Sequence, residues 1–227
     1  MRFSEWEPVY ESILADMGYD RGQDEMSVRV LKAVTVNSDL IDDDELAERI
    51  GPVATVFGNA PCLEDDISRH PPEGTLIASG SSVGRLLSLG ILPDVVVTDL
   101  DGDIGPQQEA SSRGAVTLIH AHGDNQDLIR SHAAGFRGPV MLTTQSRPEN
   151  TVFDFGGFTD GDRAVCTARS LGALRIVLLG FDYSDPMERD PSERAVKKRK
   201  LIWAKRIIED MNPPGITLEY PRERACS

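Results

Sequence analysis

Lysine is nearly missing from this chain of 227 residues: there are five, beside 19 arginines, against 22 aspartates and 15 glutamates. At a formal charge of -13 the protein is poorly equipped to neutralise nucleic-acid phosphates, which argues against a polynucleotide partner. An anionic membrane surface is disfavoured on the same ground. Long apolar runs are also lacking. None approaches the ~18 residues of a membrane span, so a soluble globular chain is expected. Cysteine is confined to Cys62, Cys166 and Cys226, odd in number and far apart, which offers neither a disulfide framework nor a zinc site. The first residues carry no basic-then-apolar leader, and a cytoplasmic location is expected. An acidic, lysine-poor surface suits a halophilic setting, where carboxylates hold water and ions while self-repulsion is screened.

What is present divides near residue 52. Before it, Trp6, Val9, Tyr10, Ile13, Leu14 and Met17 fall on one helical face behind a Ser4 cap. Asp20 to Asp24 break that helix, a second apolar pattern runs through Val28, Leu31 and Val34, and Asp42 to Glu45 open a short helix as dipole-favourable surface. Residues 1–52 are therefore read as a small helical N-terminal region. From 53 to 227 the texture is a βα rhythm. Apolar runs at 54–57, 75–78, 95–98, 116–119, 140–143 and 175–179 each lead into a turn and mostly into a helix. That alternation predicts an α/β fold with a mostly parallel sheet and helices on both faces, in which ligands bind at the carboxyl ends of the strands.

The strand ends are where chemistry is to be sought. Gly58 and Asn59 follow the first run and Ser81 and Ser82 the second, in small-residue turns that let backbone approach a phosphate or simply start helices. The third run delivers Asp99-Leu100-Asp101-Gly102-Asp103. Carboxylates so concentrated repel by several kcal/mol unless protons or a cation intervene, and a hard divalent ion, Mg²⁺, is the economical remedy. Asp124 follows the fourth run within His120-Ala121-His122-Gly123-Asp124-Asn125. It reads as a third acidic ligand, direct or through water, with Asn125 orienting water or substrate; a His-His-Asp transition-metal site is the weaker alternative. Further on, Gly156, Gly157, Phe158 and Thr159 precede Asp160 and Asp162, which either cap the next helix or accept N–H groups of a planar ligand, while Arg163 reaches phosphate. Four of the five lysines lie within nine residues, 197–205. Lys197 and Lys198, with Arg199, are read either as a solvated helix face balancing the acidic surface or as an electropositive cover for a polyphosphate, on a helix whose apolar side is Val196, Leu201, Ile202, Trp203, Ile207 and Ile208.

The run Gly90-Ile91-Leu92-Pro93-Asp94-Val95-Val96-Val97-Thr98-Asp99-Leu100-Asp101-Gly102, then 120–125 and 156–164, resembles the archaeal 6-hydroxymethyl-7,8-dihydropterin pyrophosphokinases of the MptE-like family. These are similar in turn to thiamine pyrophosphokinases, whose strand-end Asp-x-Asp and later Asp bind magnesium. The resemblance runs from about residue 53 to 183 and includes the lysine helix. It departs at Ser79-Gly80-Ser81-Ser82, where family members commonly carry an Ala-Asp-Gly-Ala type loop, and at Cys62, where a serine is usual. It implies a thiamine-pyrophosphokinase-like fold and transfer of diphosphate from ATP to a pterin alcohol, with release of AMP. It also implies Asp99, Asp101 and Asp124 as the catalytic, metal-binding set and Gly156 to Asp162 as the pterin site. Thiamine pyrophosphokinase, an Asp-x-Asp nucleotide-sugar transferase and a non-catalytic nucleotide-binding module are the rival readings. A homo-oligomer is compatible with any of them.

Overall fold

In the computed structural model, which describes residues 2–186 and 188–221, the βα rhythm closes into one sheet. Cys226 lies outside the described residues. The six expected strands form as β1 (Val53–Phe57), β2 (Thr75–Ser79), β3 (Val95–Thr98), β4 (Val116–Ala121), β5 (Val140–Thr144) and β7 (Arg175–Leu179). Two more, β6 (Val152–Phe153) and β8 (Thr217–Glu219), are too short to announce themselves by an apolar run. Every neighbouring pair is parallel, in the order β6-β5-β4-β3-β2-β1-β7-β8. Each residue of Val95-Val96-Val97-Thr98 is buried, as a central strand covered on both faces requires. The chain winds outward from β1 to β6 and then returns to the other side of β1. The β1/β7 boundary is thus the topological switch point, where crevices open at strand ends.

Helices cover both faces. On one, Ala164, Val165 and Ala168 of α8 (Asp160–Ser170) pack on Ala54, Val56 and Ile77. On the other, Leu63 of α4 (Leu63–Arg69) and Val83 and Leu86 of α5 (Val83–Ser88) meet Phe57, Ala78 and Val96. Among the described residues no helix is long and apolar enough to cross a membrane.

The N-terminal helices are α1 (Phe3–Met17), α2 (Arg21–Val34) and α3 (Asp43–Ala47). The cap of α1 is Arg2 rather than Ser4, because the Glu5 carboxylate reaches back to accept the Arg2 backbone N–H at 3.0 Å. Asp20 interrupts the helix for a single turn only: its carboxylate accepts the Gly22 N–H at 3.0 Å and so starts α2. Asp42 and Glu45 cap α3 reciprocally. Val28 and Leu31 of α2 pack with Ile129 of α7 (Gln126–His132) over Ile119 and Leu142. Trp6, Tyr10 and Ile13 of α1 instead meet Phe158, Cys166, Trp203 and Ile207. The helix α9 (Pro191–Lys205) is therefore held against α1, and Asp16 accepts the Trp203 indole N–H at 2.8 Å. Its apolar side is narrower than the sequence pattern suggests. Trp203, Ile207 and Ile208 are buried, whereas Val196 and Ile202 are exposed: Trp203 and Ile207 meet α1, and Ile208 joins the core formed with α8 and the sheet.

Candidate active site

A cleft of about 900 Å³ lies across the carboxyl ends of the strands, near the upper end of the range for small-molecule sites. Its floor is the turn after β3. Leu100, in the left-handed region at φ 68°, bends the chain there, and this conformation costs an L-residue roughly 1 kcal/mol or more. It is held by a fully buried side chain and by its N–H, which donates to the Thr98 hydroxyl at 2.9 Å. Beyond the bend the three aspartates take different places. Asp99 and Asp101 line the cleft together, whereas Asp103 caps α6 (Ile104–Ser112) by accepting the Gly105 N–H at 3.1 Å.

His122 ties this floor to the end of β4. Its Nε2 is 3.2 Å from an Asp99 carboxylate oxygen and its Nδ1 is 2.9 Å from Asp124. Burial pushes the Asp99 carboxyl up, but the His122 hydrogen bond and the Arg163 charge more than reverse this, and it is held well below the usual carboxylate range. Burial opposes the charging of His122 too, yet its bonds to Asp124 and Asp99 raise it. Asp124, hydrogen-bonded to that imidazole and lowered by it, has a side chain 88% exposed. Among the described residues no three His, Cys, Asp or Glu side chains stand ready as a closed metal cage. Asp99 and Asp101 are a pair of carboxylates on one cleft, with Asp124 reached through His122. Such a pair fits a hard cation that keeps water and draws its remaining ligands from a bound phosphate.

The other predicted residues divide. Gly58, Asn59 and Ser81 line the cleft beside Asp99. A Cβ at Gly58 would stand 2.5 Å from the Gly180 carbonyl oxygen, so glycine allows β1 and β7 to bring their ends together. Ser82 is fully buried and spends its hydroxyl on the Ser79 carbonyl at 2.8 Å; the cleft is lined instead by Ser79, whose buried hydroxyl has no partner among the described residues. Asn125 is buried away from the cleft: its amide donates to the Asp99 and His120 carbonyls at 2.9 and 2.7 Å and accepts the His122 N–H at 3.1 Å, so it positions those residues. Gly156 and Gly157 do not line the cleft. Gly157, at φ 102°, lets the turn run against α8, since a Cβ there would stand 2.6 Å from Arg163 Cα.

Phe158, Thr159, Asp160, Asp162 and Arg163 do reach the cleft. Asp162 accepts from the Phe158 N–H and from the Thr159 N–H and hydroxyl at 3.0 and 2.7 Å, so its carboxylate caps α8. Burial, reinforced by the Asp99 charge, pushes Asp160 up to about 8 despite its 3.2 Å contact with Arg163. On the cover, Lys197 and Lys200 line the cleft and Lys198 does not. Residues three apart on a helix share a face, and Arg199 turns away to Asp16.

Sequence reasoning passed over several cleft residues. His122 was visible as a strand-end histidine, but its place between two aspartates was not. Gln145, Tyr19 and Asp24 carry no local signal at all, because their role depends on where α1 and α2 dock. Gln145 donates to Asp24 at 3.0 Å and accepts from Arg163 at 3.2 Å.

A family profile described as "6-hydroxymethylpterin diphosphokinase MptE-like" matches residues 37–188. A Pyrococcus furiosus protein named 6-hydroxymethyl-7,8-dihydropterin pyrophosphokinase is 40% identical over 226 residues, covering 95% of this chain and 96% of the relative. One of the same name from Methanothermobacter thermautotrophicus is 36% identical, covering 95% and 97%. A third, from Methanocaldococcus jannaschii, is 29% identical over 92% and 95%. Near-complete coverage at such identity, on a chain whose strand-end aspartates share one cleft, places this protein in the MptE-like 6-hydroxymethylpterin diphosphokinase family.

Proposed function

We propose that the protein transfers the terminal diphosphate of ATP to the hydroxymethyl group of 6-hydroxymethyl-7,8-dihydropterin. The products are AMP and the pterin diphosphate, feeding tetrahydrofolate or tetrahydromethanopterin synthesis. The observation that carries the reading is the opposition, across one cleft, of Asp99 and Asp101 on the floor and Lys197 and Lys200 on the cover, in a chain 40% identical to a relative named for that activity. A tetra-anionic nucleotide does not approach an ionised Asp99 unaided. Mg²⁺ held by Asp99 and Asp101 would screen that repulsion and withdraw charge from the phosphates during in-line displacement.

The chain's own groups supply the rest. The β1/β7 crevice, with Gly58, Asn59 and Gly180, receives the nucleotide at the switch point. Lys197 and Lys200 balance phosphate charge from above. His122 holds Asp99 and Asp124 in place, and Asp124, open to solvent, passes the alcohol proton to water. The alcohol oxygen bonds to the β-phosphorus as its bond to the bridging α–β oxygen breaks, and AMP leaves. Incubation with Mg-ATP and either hydroxymethyl-dihydropterin or thiamine, read for AMP, tests this. AMP with the pterin alone is expected, and ADP, or no AMP with the pterin, overturns it.

A further inference from the structure

The cleft has a second end, away from the β1/β7 crevice, and one buried carboxylate faces it from the N-terminal helices. Asp24 of α2 is only 2% exposed, yet it lines the cleft. Its Oδ2 accepts the Tyr10 hydroxyl at 2.6 Å and the Gln145 side-chain N–H at 3.0 Å. No donor among the described residues serves Oδ1. The neighbouring strand-end residue on that side is a glycine: a Cβ at Gly123 would stand 3.4 Å from Oδ1, where a longer side chain would crowd the oxygen. Oδ1 is thus the end of the carboxylate left open to the cleft, where a ligand N–H can take the place of water.

The acceptor is also fixed in place. Gln145 is anchored through its backbone carbonyl, which accepts the Trp6 indole N–H at 2.9 Å. Its side-chain oxygen accepts from Arg163 at 3.2 Å, so the amide nitrogen is the end that faces Asp24, and Asp24 is held in turn. Of the other carboxylates on that side, Asp162 spends both oxygens on the α8 cap and Asp160 is turned to the Arg163 guanidinium.

We infer that Asp24 accepts the exocyclic amine of the heterocyclic alcohol and selects amino-substituted rings over their oxo counterparts. This rests on the pterin reading above and adds the residue that reads the ring. A ring oxygen at that position would face Oδ1 acceptor to acceptor, and a site built for an N–H rejects an analogue lacking it far more strongly than a merely apolar pocket would. Asp24 lies before residue 37, where the family profile begins, so the helices outside the profile supply the specificity.

The test is Asp24→Asn in the full chain, with steady-state kinetics on hydroxymethyl-dihydropterin and on its 2-oxo (lumazine) analogue. Asparagine keeps its carbonyl toward Tyr10 and Gln145 and so turns its NH₂ toward the ligand. The KM for the pterin is expected to rise roughly 10- to 100-fold, the KM for ATP to stay within about twofold, and the preference for amine over oxo substrate to shrink or reverse. A purely structural role would move both KM values or the melting temperature and leave the preference intact, and that result overturns the assignment, as does an unchanged pterin KM. If the variant does not fold, the wild type still decides: equal use of both heterocycles overturns the idea, and strong rejection of the oxo form supports it. A wild type that makes no AMP from the pterin overturns the functional reading and the substrate named here with it. An active wild type beside an unaffected variant overturns the role of Asp24 alone.

Discussion

Two regions in and beside the cleft are rich in aspartate and titrate in opposite directions. On the floor, Asp99 is driven below the usual range, and Asp124 is lowered as well. In the turn that enters α8, burial pushes Asp154 up to about 7, Asp160 up to about 8, and Asp162 up as well. The residue type is the same and the regions share Arg163, so composition does not explain the difference. What separates them is where the hydrogen-bond donors and cations sit. His122 and Arg163 both act on Asp99, which outweighs its desolvation. Asp160 meets the same guanidinium but is more deeply buried and feels the Asp99 charge, so burial prevails. Asp99 is thereby kept anionic for a cation, while burial draws Asp160 toward its neutral form in the wall.

The comparison breaks most sharply if a floor carboxylate proves dispensable. Asp101→Asn removes one charge from an exposed side chain and should leave the fold and melting temperature unchanged. Turnover should fall by about 10³-fold or more, by analogy with the loss of a group that acts on the transition state. Retained AMP formation would remove Asp101 from the metal site. A smaller effect is expected on the cover. Lys197→Glu places a negative charge over the phosphates, and the KM for ATP should rise roughly 10-fold, consistent with ~1–2 kcal/mol for a partly solvated charge contact. The effect should weaken with added salt. The matched Lys198→Glu change, off the cleft, should do almost nothing. If the two variants behave alike, the cover acts by overall charge and not by position.

The parts of this arrangement that were legible are those written locally. A continuous apolar run followed by Asp-x-Asp identifies a strand end, and the six main strands and the floor followed from it. The lysine helix was legible as a helix with a basic face, but only a helical wheel separates Lys197 and Lys200, which line the cleft, from Lys198, which does not. Asp162 was legible both as a cap and as a ligand acceptor, and the Thr159 capping geometry occupies it as a cap. Asp24 and Gln145 were not legible, because 121 residues separate two groups that share one hydrogen bond. Nothing near Asp24 in sequence distinguishes it from the solvated acids around it; the docking of α1 and α2 does so. The same docking hides Tyr10, whose helical spacing reads as simple core although its hydroxyl serves Asp24.

The smallest expected effect on turnover sharpens the comparison from the neutral side. Asp154 opens the glycine turn, lies off the cleft, and accepts the Gly156 N–H at 2.7 Å through one oxygen while the other is buried with no partner among the described residues. Burial is the main cause of its shift to about 7, against an ordinary 3.8. The folded chain thus binds this proton more tightly than the unfolded chain does. Its contribution to stability is fully present below about pH 4 and is lost as pH rises through 7. Asp154→Asn has no such dependence. If variant and wild type are matched near pH 3.5, the variant should be the more stable by about 4 kcal/mol at pH 8, most of the gap opening between pH 4.5 and 7. A difference that stays flat from pH 4.5 to 8 would show that Asp154 titrates like a solvated carboxylate. Burial without a nearby cation would then not be what distinguishes the turn from the floor.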